Sequence, residues 1–171
     1  MTLRLRPLDR GDLDDILEVA SDPEIIRWTT IPSPYVRAHA KTFIGEAARL
    51  AANDVEHRFA VCTTDRPRIL GTIALRRHAS RHHIGEIGYW TAPWARRQGV
   101  ASGAVALVTA FAWDLMSFGR LEAYVDPRNA ASQGVMRRAG FALEGTLRAL
   151  QVGRDGDLQD MLLFALVKPL A

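Results

Sequence analysis

The sequence predicts a mixed α/β (α+β) fold, in which about seven strands form a mostly antiparallel central sheet with helices on both faces. Three observations predict it. The strand-like segments "HRFAVCTT", "RILGTIALRRH" and "IGEIGYWTA" follow one another across short turns, which favours an antiparallel meander. From "IGEIGYWTA" onward the pattern becomes strand–helix–strand–helix–strand, and a crossover helix makes the strands flanking it parallel. The final two strand segments, "FALEGTLRAL" and "LQDMLLFALV", are joined by "GRDGD", a strong hairpin signal.

Each element has its own local reason. "LRLRPL" alternates apolar and charged residues, the period of a half-buried strand, and Pro7 ends it. "DRGDLDDILEVASDPEIIRWT" reads as two short helical pieces, with Asp9 as a cap and Pro23 restarting the helix. A longer helix is expected from about Tyr35 to Ala52, with Phe43, Ala47 and Leu50 on one side. The period then switches to two for the meander, whose turns are "TDRPR" and "ASRHH". From Gln98 to about Phe118 the chain reads as a helix with Val105, Val108, Ala112 and Leu115 on one stripe. "RLEAYVD" is a strand, and "NAASQGVMRRAG" is a short helix closed by Gly140.

Composition removes several function classes. A chain of 171 residues, 48% of them hydrophobic, can bury one ordinary core, so a single domain over 1–171 is expected. No run of about 18 uncharged apolar residues marks a membrane span. The start "MTLRLRPLDRGDLDD" lacks an apolar signal region, and a cytoplasmic setting is expected. Cys62 is the only cysteine, which excludes a disulfide framework and a cysteine-rich zinc site. Within "RFAVCTT" it reads as a small core residue rather than a nucleophile. His78, His82 and His83 in "RRHASRHH" have no carboxylate or cysteine at ligand spacing, so a basic hairpin turn is favoured over a metal site. The net charge of +3 is spread along the chain without a block of like charges, which suits a phosphate-bearing small ligand. Trp28, Trp90, Trp94 and Trp113 form no regular base-stacking series, so nucleic acid is not the favoured partner.

A ligand is expected beyond the C-terminal end of the strand that precedes the crossover helix. That position holds "RRQGVASGA". A helix N-terminus presents unpaired N–H groups and partial positive charge, and Gly99 and Ala101 let an anion approach the backbone. Arg96 and Arg97 offer charge, and Ser102 a hydroxyl. The spacing is neither the mononucleotide P-loop nor the dinucleotide glycine turn. Taken alone, the segment is equally a plain helix start with small residues for close packing.

The string "IGEIGYW…ARRQGVASGAV…RLEAYVDPRNAASQGVMRRAGFALEGTLR" resembles the GNAT superfamily of N-acetyltransferases, and within it the RimJ/RimL branch, which acetylates ribosomal-protein N-termini. The likeness extends over essentially the whole chain and is strongest from Ile84 to Arg148. It implies acetyl-CoA as co-substrate, with the pyrophosphate on Arg96, Arg97, Gln98, Gly99, Val100 and Ala101, and Ser102 beside it. It also implies a splay between the strand ending in "GYWTA" and "RLEAYVD", where backbone groups near Trp90 and Thr91 take the pantetheine arm like an added strand. Asn129 and Ser132 match positions that contact the pantetheine and thioester end.

Acetyl transfer to an amine requires a neutral nitrogen, a polarised carbonyl and a leaving thiolate. An α-amine, with a reference pKa of about 7.7–8.0, is partly neutral near pH 7 and asks less of a base than a lysine does. Glu86 is the candidate base, directly or through water; its plain alternative is a solvent-facing ion pair. Ser132 is the candidate donor to the departing sulfur, and Asn129 a combined N-cap and ligand contact. The direction of Tyr124 is left open by its alternation with Val125. "TTIPSPYVRAH" and "GRDGD" are expected to border the acceptor cleft. The rival readings are acylation of a small amine such as a polyamine, amino acid or aminoglycoside, a donor such as succinyl-CoA, and a non-catalytic CoA- or partner-binding module. A homodimer is compatible with the pattern.

Overall fold

The protein is described by a computed structural model covering residues 2–64 and 68–169. The strands are β1 (Leu3–Pro7), β2 (Glu56–Thr63), β3 (Gly71–Arg77), β4 (Ile84–Thr91), β5 (Arg120–Val125), β6 (Ala142–Val152) and β7 (Leu158–Val167). They form one sheet in the order β1-β2-β3-β4-β5-β7-β6. Every neighbouring pair is antiparallel except β4 and β5. The expected meander and crossover are both present. Most of the turn expected over "TDRPR" falls at 65–67, outside the described residues.

The helices are α1 (Leu13–Ala20), α2 (Pro23–Trp28), α3 (Arg37–Ala52), α4 (Val100–Asp114) and α5 (Ala130–Arg138). Helix α4 is the crossover. Its Val100, Ala104, Val105, Val108 and Ala112 are buried in one core cluster with Leu75, Ile87, Leu121 and Phe164 of the sheet. Burial of an aliphatic side chain contributes about 1.5–3 kcal/mol, so this stripe anchors the loop that precedes it. A second cluster joins Ile16 of α1 and Ala40, Ile44 and Ala47 of α3 to Ala60 and Ile69.

Two helical faces differ from expectation. In α3 the inward positions are Ala40, Ile44 and Ala47, with Phe43 and Leu50 only half-buried. The i, i+4, i+7 row through alanines lets the helix lie close to β2, and the larger side chains flank it. In α4 the stripe stops at Ala112, and Leu115 is 73% exposed. It lies beyond the helix, whose last residue is Asp114. Helix α5 is closed as expected by Gly140, which lies just beyond its last turn and has a φ of 87° that suits glycine. The Phe141 N–H reaches Met136 O (3.0 Å) and the Gly140 N–H reaches Arg137 O (3.1 Å), a Schellman closure.

Candidate active site

Strands β4 and β5 pair only through Ile84–Arg120, Gly85–Leu121 and Glu86–Glu122. Beyond Glu86 they diverge, and a cleft of about 650 Å³ opens between them. Its size lies in the range of small-molecule sites. Alternation along β4 decides which backbone groups face it. The Ala92 N–H donates to Leu70 O, and the His78 N–H donates to Ile84 O. Even-numbered residues of β4 therefore turn their polar groups toward β3, and odd-numbered ones turn them toward β5. Tyr89 and Thr91 thus present free N–H and C=O groups to the splay. Trp90, opposite Thr72, spends its backbone on β3 and lines the cleft with its side chain.

The loop before α4 forms one end of the cleft. Arg97 (φ 58°) and Gly99 (φ 78°) both adopt the left-handed conformation, which turns the chain sharply into the helix. Gly99 is the N-cap residue and supplies no side-chain cap. The first intrahelical bond returns from the Gly103 N–H to Gly99 O, which leaves the N–H groups of Val100, Ala101 and Ser102 at the open helix end. Ser102 Oγ donates to Gly99 O at 3.2 Å. The two arginines differ in role. Arg96 Nη2 lies 2.5 Å from Asp22 Oδ1, the oxygen that also accepts the Glu24 and Ile25 N–H groups at the start of α2. Burial pushes the Asp22 carboxyl up, but the Arg96 bond and the backbone donors bring it below the ordinary range. Arg97 makes no side-chain hydrogen bond or ion pair among the described residues and lines the cleft, as does Arg138 at the end of α5. Gln98 turns away, its amide donating to Trp94 O at 2.9 Å.

The middle of the cleft holds the candidate catalytic groups. Glu86 lies on the sheet face opposite buried Ile87, with its side chain 39% exposed and Arg76 Nη1 3.8 Å away. The Ser132 N–H donates to Asn129 Oδ1 at 3.0 Å, so Asn129 is the N-cap of α5. The Ser132 hydroxyl meets the Tyr89 hydroxyl at 2.8 Å. Burial pushes the Tyr89 phenol up to about 12, against a smaller opposing effect of Ser132. Tyr124 turns to the Glu86 side and donates to Glu122 Oε2 at 2.7 Å. Glu122 is 4% exposed. Burial raises its pKa, but bonds from Arg120 and Tyr124 outweigh that, and the carboxyl stays below the ordinary range. Tyr124 is pushed up to about 12 by burial and by its bond to Glu122.

The far wall is built by α2 and the segment after it: Glu24, Trp28, Thr29 and Thr30 all line the cleft. The hairpin turn before β7 holds this wall in place. Arg154 donates to Ile26 O (3.0 Å), Thr29 O (3.0 Å) and Ile31 O (2.6 Å). The two segments expected to border an acceptor are therefore joined to each other.

All the sequence-predicted site residues except Gln98 line this one cleft: Glu86, Trp90, Thr91, Arg96, Arg97, Gly99, Val100, Ala101, Ser102, Asn129 and Ser132. Sequence reasoning missed Asp22, Tyr89, Arg138 and Arg154. Only "SDPE", a cap before Pro23, signalled Asp22, and nothing local joins Tyr89 to Ser132 across 43 residues. His78 acts in its turn, its Nδ1 accepting the N–H groups of Ser80 (3.3 Å) and Arg81 (3.1 Å). Cys62 is buried. The arrangement suits an elongated ligand, with an anionic group at the open helix end and an extended amide-bearing arm along Tyr89 and Thr91.

An acetyltransferase (GNAT) domain model matches residues 2–142. YoaA of Bacillus subtilis, named as an uncharacterised N-acetyltransferase, is 28% identical over 167 residues, covering 98% of this chain and 94% of YoaA. The structure of Mycobacterium smegmatis RimJ in complex with CoA-disulfide superposes with a TM-score of 0.86 at 21% identity, over 96% of this chain and 81% of that one. A spermidine N-acetyltransferase chimera of Vibrio cholerae SpeG and hSSAT superposes with a TM-score of 0.80 at 20% identity, over 98% and 96%. At these identities the two structures share the fold. No helix among the described residues is long and apolar enough to cross a membrane.

Proposed function

Because the chain belongs to the acetyltransferase (GNAT) domain family and is an acyltransferase, we propose that it moves an acetyl group from acetyl-CoA to the α-amine of a protein or peptide N-terminus. One observation carries this reading: a single cleft joins an uncapped helix end, a free strand edge and a carboxylate across from a hydroxyl. Arg97 and the N–H groups of Val100, Ala101 and Ser102 hold the pyrophosphate. Tyr89 and Thr91 pair with the pantetheine amides, and Asn129 lies beside them. Acetyl-CoA supplies the activated acyl group when bound. Glu86 receives the proton of the amine, directly or through water, as the nitrogen attacks. Ser132 donates a hydrogen bond to the sulfur as it leaves. Glu86 is half-exposed, with Arg76 beside it, and an α-amine, partly neutral near pH 7, asks less of its proton acceptor than a lysine does. The sole cysteine, buried and free, fits a reducing cytoplasm.

A second reading has its own support. Glu24, Glu86 and Asp126 all line the cleft, and this carboxylate set suits a small polycation. The SpeG chimera shares the fold and is a spermidine N-acetyltransferase by name. Thiol release from acetyl-CoA with N-terminal peptides, beside a panel of polyamines, amino acids and aminoglycosides, separates the two. The proposal expects peptide turnover that disappears when the α-amine is blocked. Turnover of polyamines alone would replace it with the second reading. Silence across the panel would sink both acceptor classes.

A further inference from the structure

We propose that Tyr89 is a positioning residue for acyl transfer, fixing the hydroxyl of Ser132 so that its proton points at the sulfur of the thioester. The inference rests on the site reading above and deepens it. Its basis is a contact between distant parts of the chain: Tyr89 on β4 and Ser132 on α5 meet hydroxyl to hydroxyl at 2.8 Å across the splay. An early helical serine commonly turns its side chain back to its own backbone. Here Asn129 already caps the Ser132 N–H, and among the described residues Tyr89 is the one side-chain partner of Ser132 Oγ.

Two hydroxyls that share one hydrogen bond leave one proton free, and the direction of the bond decides whose it is. A phenol is more acidic than an alcohol, so it is the better donor and the alkyl oxygen the better acceptor. Tyr89 therefore donates to Ser132, and the free proton is that of Ser132. The tyrosine ring packs against the main core cluster, which holds its oxygen in place. With its hydroxyl pushed up to about 12 by burial, Tyr89 keeps its proton throughout the neutral range.

The covalent step balances without a proton passing through Tyr89. The amine nitrogen bonds to the acyl carbon, the C–S bond breaks, and its electron pair goes to sulfur. The nitrogen gives one proton to Glu86 or solvent, and the sulfur gains one from solvent. Transfer from a phenol at about 12 to a thiolate whose ordinary value is about 8.5 runs uphill, so Ser132 stabilises the sulfur by a directed hydrogen bond and Tyr89 sets that direction.

The test uses Tyr89→Phe, Ser132→Ala and the double variant, with acetyl-transfer kinetics, thermal unfolding, and an ultraviolet titration of the thiol in the complex with CoA. For Tyr89→Phe the expected result is a fall in kcat of about tenfold with KM for acetyl-CoA within about twofold. The double variant should be no slower than Ser132→Ala. The bound thiol should titrate about one unit higher in Tyr89→Phe than in the wild type, the same tenfold seen at equilibrium. Unchanged kcat, losses that multiply in the double variant, or an unmoved thiol titration would overturn the proposal. If Tyr89→Phe lowers the melting temperature, Tyr89→Met, a flexible filler without the hydroxyl, must give the same thiol shift. Absence of turnover in the wild type would count against the acetyltransfer reading, whereas the thiol titration needs only CoA and decides the role of Tyr89 by itself.

Discussion

Arg96 and Arg97 are adjacent in sequence and opposite in use. Arg96 is committed to Asp22, whereas Arg97 lies in the cleft with its charge unspent and its backbone at φ 58°. Arg97→Gly suits that conformation better than alanine would and removes the guanidinium without adding backbone strain. KM for acetyl-CoA should rise about tenfold, the worth of one charge-assisted contact, with kcat at saturation preserved. An unchanged KM in steady-state kinetics would remove Arg97 from the phosphate site. Glu86 is tested from the other side of the chemistry. Glu86→Gln keeps the shape and the neighbour Arg76, so a loss of about a hundredfold in kcat is expected if it takes the proton. A rate within twofold of wild type would leave it as the surface ion pair that the strand pattern equally allowed. The loop was legible because glycine and small residues at a helix start have a backbone meaning. The division of labour between the arginines was not, because Asp22 lies 74 residues away.

Among the elements, α2 and the segment that follows it gain their position from outside. Asp22 caps α2 and ties it to the loop before α4, and Arg154 binds three of its outgoing carbonyls. The helix-end and far-wall sides of the cleft thus share one framework. Arg154→Ala should raise KM for the amine about tenfold while leaving KM for acetyl-CoA unchanged, because three backbone acceptors lose their donor at the far wall only. Equal effects on both substrates would show that Arg154 supports the fold as a whole. The order of strands and helices was readable because each change of period has a local cause. β4 shows the limit of that reading: alternation separates its two faces, yet which edge its amides serve emerges only from the pairing with β3. Helix ends were the weaker part for the same reason. The α4 stripe continues in sequence to Leu115, but the helix ends before it, and that residue stays 73% exposed.

Across the molecule, one row of charges runs through four strands in register: Glu56 beside Arg76, Arg76 beside Glu86, Glu86 beside Glu122. Of the three glutamates in the row only Glu86, at the cleft, is partly exposed, and the two at its ends are buried. Burial pushes the Glu56 carboxyl up, but bonds from Arg58 (2.5 Å) and Arg76 (2.9 Å) hold it below the ordinary range, as Arg120 and Tyr124 do for Glu122. A carboxyl with a lower pKa in the folded state adds stability above its unfolded value, about 4.3, and loses that contribution as pH falls through the folded value. Unfolding free energy should therefore be nearly flat from neutral pH to about 5 as far as these groups act, and should decline below about 4. Glu122→Gln separates this from general acid expansion. At pH 7 it should cost about 1–3 kcal/mol, since Arg120 loses a charged partner in a buried place. As pH drops, the gap between variant and wild type should close, because protonated Glu122 is then the near equivalent of glutamine. Chemical denaturation of both proteins between pH 7 and pH 3 measures it. A gap that stays constant or widens toward acid would mean that Glu122 acts by shape alone.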